Sequence, residues 1–207
     1  MFYSATIPSW FIKLNSSLVW KISTTKKELY LTFDDGPHPT ATPFVLDCLK
    51  EYNAKATFFC LGKNVKDQPA IFRRILDEGH GIGNHTFNHL NGWKTNNDKY
   101  IQDIVETSKY IDSTLFRPPY GRISPFVSKV LRTKLQYKVI MWHILSGDFD
   151  EKLSPQKCVE NVLLNAVQGS IIVFHDSTKA WGRMHYALPA VLKHFTAKGF
   201  SFKRIDE

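Results

Sequence analysis

Two histidines and two aspartates are spaced so that they could act together on one bound ion. His85 and His89 are four residues apart, a spacing that turns both imidazoles the same way on a helix or in a tight turn and suits metal chelation. Asp34 and Asp35 are adjacent and precede a Gly-Pro pair, so one carboxylate could bind the metal while its neighbour faces the water as a base. Two histidines, one carboxylate and open positions are typical of a hydrolytic zinc site or of an Fe(II) oxygenase site.

The elements that must position these residues are short apolar strands that alternate with amphipathic helices. Strands are predicted near 29–33, 56–61, 81–83, 115–116, 137–142, 171–174 and 200–202, and the last helix is predicted over 186–197. This alternation is typical of parallel βα units. It indicates a single α/β domain, either a wound sheet or an incomplete (β/α) barrel of about seven parallel strands.

Residues able to do chemistry follow most of these strands, at the end where ligands collect in such folds. Helix capping or core packing would account for one or two of them, but not for titratable groups at the ends of five strands. They are Asp34 and Asp35 after the first strand, His85 and His89 after the third, Arg117 to Tyr120 after the fourth, Asp148 after the fifth and His175 after the sixth.

Five motifs occur in order along the chain: Thr32-Phe33-Asp34-Asp35-Gly36-Pro37, His85-Thr86-x-x-His89, Arg117-Pro118-Pro119-Tyr120, Trp142 to Asp148, and Phe174-His175-Asp176. In this order and with these gaps they resemble the motifs of the polysaccharide deacetylase family, carbohydrate esterases that include chitin deacetylases and peptidoglycan N-acetylglucosamine deacetylases. The resemblance implies a distorted (β/α) barrel. It predicts a catalytic domain over 28–207, with residues 1–27 as an N-terminal extension packed on the barrel.

The resemblance also implies a role for each motif residue. Asp35, His85 and His89 would hold a divalent metal ion, zinc by preference, with Co²⁺ or Ni²⁺ as alternatives. Asp34 would be the general base, Arg117 would hold Asp34 by a charge-assisted bond, and the backbone N–H of Tyr120 would stabilise the oxyanion. His175 would be the general acid, and Asp148 would orient and charge it.

These residue types suit the hydrolysis of an N-acetyl group on an amino sugar or glycan. A metal-bound water supplies the nucleophile at neutral pH, and a histidine made cationic by a buried aspartate protonates the leaving amine. Three alternatives stay open: a hydrolase of another non-peptide amide or imide bond on the same scaffold, a catalytically inactive carbohydrate-binding relative, and an Fe(II) oxygenase. The chain has no Gly-x-Ser-x-Gly motif, which disfavours a serine esterase.

Two positions depart from the family pattern around the fifth strand. Leu145 stands where an aspartate is common, and Phe149 stands where a tryptophan is common. Asp150 competes with Asp148 for the place beside His175, because it would point the same way along an extended segment. Substrate contacts are expected from Tyr120, Phe149 and Trp181, with Trp181 in a loop on the active face.

Composition excludes several classes of protein. The 207 residues are 43% hydrophobic and 22% charged, within the range of ordinary globular domains, so disorder is disfavoured. The net charge of +8 comes from scattered residues, and a solvated basic surface is favoured over a nucleic-acid partner. Three cysteines without a CxxC pair are expected to be reduced packing residues. We expect a monomer whose partner is its N-acetylated glycan.

The N-terminal region lacks the pattern of a secretory signal or a membrane span, because Lys13 and Asn15 interrupt its apolar run. Residues 8–20 have helical apolar spacing with large aromatics. We expect a short helix that caps the bottom of the barrel, with peripheral contact to a membrane surface as the alternative. These features favour a cytoplasmic or peripheral membrane location.

Overall fold

The chain forms eight strands and eight α-helices in a computed structural model that describes residues 4–206. The strands are β1 (Glu28–Asp34), β2 (Ala56–Cys60), β3 (Gly81–Asn84), β4 (Leu115–Phe116), β5 (Lys138–Val139), β6 (Ile144–Leu145), β7 (Ile171–His175) and β8 (Ser201–Phe202). The helices are α1 (Ser9–Leu14), α2 (Ala41–Glu51), α3 (Gly62–Asp67), α4 (Pro69–Asp77), α5 (Asn97–Thr107), α6 (Pro125–Thr133), α7 (Pro155–Leu163) and α8 (Trp181–Ala197), and a short 3₁₀ turn covers Pro119–Gly121.

The strands pair in the order β5-β4-β3-β2-β1-β7-β6, with β8 beside β1, and every pair of named strands is parallel. The sheet curls into a half-barrel with helices around it. This confirms the predicted α/β barrel of about seven parallel strands in a single domain.

The central strands are apolar on both faces because helices cover one side and the barrel interior the other. Phe33 of β1 stacks on Phe58 of β2 and on Phe174 of β7, with ring centroids 5.1 and 6.1 Å apart. These rings belong to the main core cluster, together with apolar residues of α2, α7 and α8. Strands β1 and β7, which end in Asp34 and His175, therefore lie in the main core of the molecule.

The register of the parallel strands sets the candidate residues at one level. Asp34 is opposite His175 of β7, and Asn84, which directly precedes His85, is opposite Phe116, which directly precedes Arg117. Because parallel strands end on the same side of the sheet, these side chains share one rim of the barrel.

The prediction of one strand over 137–142 is wrong. Strand β5 pairs with β4 and ends at Val139, whereas β6 begins at Ile144 and pairs with β7. Residues 140–143 therefore cross between the two edges of the open sheet. Asp148 consequently follows β6 rather than the fifth strand. A continuous apolar run in the sequence does not show that the chain changes from one neighbouring strand to another within the run.

The N-terminal segment does not close the bottom of the barrel as we expected, but lies along the seam between β5 and β6. Thr6 bridges to Ile144 and Val19 bridges to Ile140. The wrong placement has a simple cause: helical apolar spacing identifies a face to be buried, but not the surface that buries it. The predicted boundary between 1–27 and 28–207 stays a prediction, and residues 1–3 and 207 lie outside the described residues.

The described cysteines, Cys48, Cys60 and Cys158, are free thiols in buried positions. Over residues 4–206, no helix combines the length and the apolar character needed to cross a bilayer.

The packing of β3 against β2 yields a stability prediction. A Cβ added at Gly83 would lie 2.5 Å from the ring of Phe59, so Gly83→Ala should lower the free energy of unfolding by about 1–3 kcal/mol through overpacking. Gly182→Ala is the matched control, because its added Cβ would meet no atom within 4 Å and the residue lies in α8. Urea unfolding should show Gly182→Ala unchanged or stabilised by about 0.5–1 kcal/mol. Equal unfolding midpoints for the two variants would contradict this account of β3.

Candidate active site

Asp35, His85 and His89 form a cluster whose ligand atoms lie within 4.8 Å of one another. The Nε2 atoms of His89 and His85 lie 3.2 and 3.7 Å from Asp35 Oδ1. That oxygen is buried and accepts no hydrogen bond among the described residues. An orphaned buried carboxylate oxygen facing two imidazole nitrogens is the arrangement that a divalent cation would complete.

The protonation states of this cluster also fit a cation. Burial lowers the pKa of His85 to about 4, which keeps its imidazole neutral at physiological pH. Burial would raise the pKa of Asp35, but contact with His89 and the nearby imidazoles of His175 and His85 outweigh it and hold that pKa well below its usual range. A neutral imidazole and an ionised carboxylate are the forms that bind metal.

Each imidazole is oriented by a contact at its other nitrogen. His85 Nδ1 lies 2.8 Å from the carbonyl oxygen of Arg117, and His89 Nδ1 lies 3.1 Å from the hydroxyl oxygen of Tyr120. These contacts leave both Nε2 atoms facing Asp35. Such outer contacts usually fix the tautomer and ring orientation of metal-binding histidines.

The backbone of the site is held in unusual conformations. Asp35, Thr86, His89 and Tyr120 have φ between 58° and 81°, in the left-handed region that non-glycine residues rarely adopt. Such conformations cost about 1–3 kcal/mol each and persist where surrounding structure enforces them. Their concentration around one cluster indicates a geometry maintained for function.

A buried aspartate of α5 enforces the conformation of the histidine loop. Asp103 accepts hydrogen bonds from the backbone N–H groups of Phe87 and Asn88, both 2.9 Å long, and from the side-chain amide of Asn88. These bonds tie the loop between His85 and His89 to a helix. Sequence reasoning missed Asp103, and its only signal was an acidic residue in a helical stretch with apolar neighbours.

Asp34 is paired with a fully buried arginine. Arg117 Nη1 donates to Asp34 Oδ1 and to Thr32 Oγ1, both at 2.7 Å, and Nη2 donates to the carbonyl oxygen of Met141. The guanidinium carbon also lies 4.1 Å from the ring centre of Phe59. Asp34 is thereby kept beside, and not within, the metal cluster. No sequence pattern predicted that Thr32 shares this contact.

His175 faces the same cluster and is coupled to a buried carboxylate. His175 Nδ1 lies 2.8 Å from Asp148 Oδ1, and the backbone N–H of His175 donates to Asp148 Oδ2. Burial would lower the pKa of His175, but Asp148, with help from Asp35 and Asp34, raises it to about 10. The imidazole is therefore a cation that can donate a proton from Nε2.

The choice between Asp148 and Asp150 is settled by geometry. Asp148 is fully buried against His175, whereas Asp150 lies in a turn and accepts a hydrogen bond from the backbone N–H of Lys152. Arg183 of α8 donates to the carbonyl oxygen of Asp148 and holds this loop. Arg183 is another positioning residue that the sequence analysis did not identify.

Asp176 holds the loop that follows Asp35. Its carboxylate accepts hydrogen bonds from the backbone N–H of Gly36 and the hydroxyl of Thr42. A side chain at Gly36 would collide with that carboxylate, which explains the glycine after Asp35. Burial, with the nearby charge of Asp35, raises the pKa of Asp176 to about 8.

The catalytic candidates open into a cleft of about 610 Å³. Tyr120 and Phe149, both predicted substrate contacts, line it, and the ring of Phe149 lies 5.4 Å from that of His175. The prediction for Trp181 is wrong in its location: this residue begins α8 and packs against Phe44 and His185, not in the cleft. Helix α8 begins at Trp181 rather than at 186, which turns the expected loop residue into a core contact.

Comparisons with known proteins show similarity to one family. The sequence profile of the polysaccharide deacetylase family matches residues 21–140. A peptidoglycan-N-acetylglucosamine deacetylase of Bacillus cereus is 34% identical over 196 residues, which cover 92% of either chain. A chitooligosaccharide deacetylase of Azorhizobium caulinodans is 35% identical over 163 residues, 75% of this chain and 77% of the relative.

The fold is also similar to those of solved structures. A peptidoglycan N-acetylglucosamine deacetylase, solved in complex with 4-naphthalen-1-yl-N-oxidanyl-benzamide, superposes with a TM-score of 0.86 at 34% identity and 94% coverage of both chains. The chain therefore belongs to the polysaccharide deacetylase family. Family membership makes it a hydrolase of carbon–nitrogen bonds other than peptide bonds, as the sequence predicted.

The coupling of His175 to Asp148 yields a pH prediction. Asp148 raises the pKa of His175, so Asp148→Asn should lower that pKa and move the loss of activity at high pH to lower pH by more than about 1 unit. The pH dependence of kcat/KM measures this shift. Asp150→Asn is the control, and it should keep the wild-type profile. An unchanged basic limb in Asp148→Asn would show that His175 is not the titrating acid.

Proposed function

We propose that this protein removes N-acetyl groups from N-acetylglucosamine units of a peptidoglycan or chitin-type glycan, with a divalent metal ion, preferably zinc, held by Asp35, His85 and His89. The observation that carries the proposal is the placement of three independent groups around one point: a metal-ligand cluster, the Arg117–Asp34 pair and the Asp148–His175 pair. Curated relatives of similar length deacetylate such glycans.

A metal ion at this cluster would polarise the amide carbonyl and lower the pKa of water. Asp34 acts as the general base that accepts a proton from the attacking water. The charge-assisted hydrogen bond from Arg117 Nη1 to Asp34 Oδ1 fixes the direction of this carboxylate. The backbone N–H of Tyr120 stabilises the negative charge that develops on the carbonyl oxygen.

His175 completes the reaction as the general acid. Its imidazolium, charged by Asp148, donates a proton from Nε2 to the departing amine, which is otherwise too basic to leave. The C–N bond then breaks, and acetate and the free amino sugar are released. In this proposal a carboxylate held by Arg117 serves as the base, and an imidazolium held by Asp148 serves as the acid.

The site favours this function over its rivals. A carbohydrate-binding protein would need neither a buried base nor a charged acid, yet both are held here by dedicated partners. The carboxylate of the cluster, Asp35, directly follows β1, and its histidines follow β3 in an α/β barrel. This arrangement disfavours the Fe(II) oxygenase. Hydrolysis of another amide or imide bond is the second candidate function. Leu145 and Phe149, which line the cleft and depart from the family pattern, are the residues that would favour such a substrate.

Changing the base should separate metal binding from turnover. Asp34→Asn keeps the size of the side chain but cannot accept the proton, so kcat for acetate release should fall by about 100-fold or more. The variant should still bind one zinc ion per chain, because Asp35 supplies the metal oxygen. Acetate release from chitotetraose and bound zinc would both be measured. Loss of zinc from Asp34→Asn would exchange the roles assigned to the two aspartates.

Changing a metal ligand should abolish both properties. His85→Ala or His89→Ala leaves only two ligands, so bound zinc and acetate release should be lost together. Zinc content after dialysis and activity after reconstitution with zinc, cobalt or nickel would test this. The control is His194→Ala, a histidine of α8 distant from the cluster, which should retain zinc and activity. A His89→Ala variant that remains active and loaded with zinc would contradict the proposed site.

A further inference from the structure

Trp93 presents a large aromatic surface to the cleft that holds the catalytic candidates. Its side chain is 63% exposed, and it lines the same cleft as Asp34, His89 and His175. The roles proposed for the catalytic residues make no use of it. Single exposed apolar residues are ordinary on protein surfaces, so exposure alone does not indicate a ligand. The way in which Trp93 is anchored, and its position beside the metal cluster, distinguish it from such residues.

The indole of Trp93 is held in place by its neighbours. Its Nε1 donates to the carbonyl oxygen of Ile123 at 3.1 Å, and the guanidinium carbon of Arg122 lies 4.0 Å from the centre of the ring. The backbone N–H of Trp93 donates to the side-chain oxygen of Asn91. A ring that is fixed before binding loses little freedom when a ligand covers it, so more of the contact energy contributes to affinity. We call the exposed surface of this indole the Trp93 platform.

The loop that carries Trp93 packs directly on the rim of the active site. A side chain at Gly92 would collide with the carbonyl oxygen of Arg122, so the two loops are in close backbone contact. The same loops meet again where His89 Nδ1 faces the hydroxyl group of Tyr120. His89 and Trp93 are four residues apart, so at most about 14 Å separates their Cα atoms. The Trp93 platform is therefore held close to the metal cluster.

The contacts of the indole determine which kind of ligand fits the Trp93 platform. The single donor of the ring, Nε1, is already used, and the guanidinium of Arg122 covers one face. The exposed remainder is apolar surface that offers a ligand no hydrogen bond. A pyranose ring has an apolar face of C–H groups and a rim of hydroxyl groups. It can therefore cover the indole while its hydroxyl groups stay hydrated.

The Trp93 platform flanks the reacting position rather than forming it. Its anchoring partners, Asn91, Arg122 and Ile123, all lie outside the set of catalytic candidates, although the platform opens into their cleft. On the basis of the proposed deacetylase function, we infer that Trp93 stacks on a second sugar ring of the glycan, beside the unit whose N-acetyl group lies at the metal cluster. The site thereby selects glycan chains over single amino sugars.

The test compares glycan lengths in the zinc-loaded protein. Acetate release from N-acetylglucosamine and from chitotetraose would give kcat/KM for each substrate. Trp93→Ala should lower the ratio of tetramer to monomer kcat/KM by about 10–30-fold, because it removes a surface that only the longer substrate reaches. The loss should appear mainly in KM, since the platform does not contact the reacting amide. Equal ratios in Trp93→Ala and the wild type would overturn the inference.

Two further variants and a zinc measurement locate the effect. Trp93→Phe keeps an aromatic face and should stay within about threefold of the wild-type ratio. Trp10→Ala is the matched control: Trp10 is 64% exposed but does not line the cleft, so the ratio should not change. Trp93→Ala should still bind one zinc ion per chain. A loss of zinc that parallels the loss of activity would show that Trp93 only holds the loop of His89, and would overturn the inference.

Binding separates this inference from the proposed function. If no substrate releases acetate, the deacetylase proposal fails, and calorimetric titration with chitotetraose then decides the inference. Binding by Trp93→Ala that is at least about tenfold weaker than binding by Trp10→Ala would support the Trp93 platform. Equal binding by the two variants would reject it. A loss confined to peptidoglycan fragments that carry peptides, with chitotetraose unaffected, would assign the surface to a peptide and would also reject it.

Discussion

The buried pair of Arg117 and Asp34 is the interaction on which the rest of the site depends. Arg117 is wholly removed from water, and its guanidinium bonds reach β1 and the carbonyl oxygens of residues 140 and 141. The pair therefore joins one wall of the barrel to the crossing segment on the other side. Removing one member of such a pair leaves an uncompensated buried charge, at a cost of about 3–5 kcal/mol. The carbonyl oxygen of Arg117 also contacts His85 Nδ1, so the same residue positions both Asp34 and His85.

Each of the three carboxylates at this rim has a different partner. Asp34 and Asp35 are adjacent in sequence, yet Asp34 is matched to an arginine and Asp35 to two histidines. The turn of the backbone at Asp35, with φ at 81°, sends the two carboxylates in different directions. His175 receives its charge from a third carboxylate, Asp148, on another loop. The proposed base, the candidate metal cluster and the proposed acid can thus share one rim because each has its own partner.

Much of this could be predicted from the sequence because the relevant signals are local. Apolar runs such as those of β1 and β7 predict buried parallel strands, and the ends of such strands meet at one rim. The two-residue strands β5 and β6 carry too little pattern to be separated. Trp181 was misplaced because the start of α8 has no side-chain N-cap to signal it. Asp103 and Arg183 act through contacts that are distant in sequence, and no spacing reveals those.

The sequence by itself determined the class of fold, the residues of the candidate metal cluster and the reaction class they suit, since these depend on residue types and on the ends of strands. Only the tertiary structure decided which aspartate faces His175, because Asp148 and Asp150 differ in burial and not in residue type. It also decided that the N-terminal segment fills the seam between β5 and β6 and forms a wall of the cleft. Helical periodicity says that a surface must be buried, whereas the open edges of a curled sheet determine where.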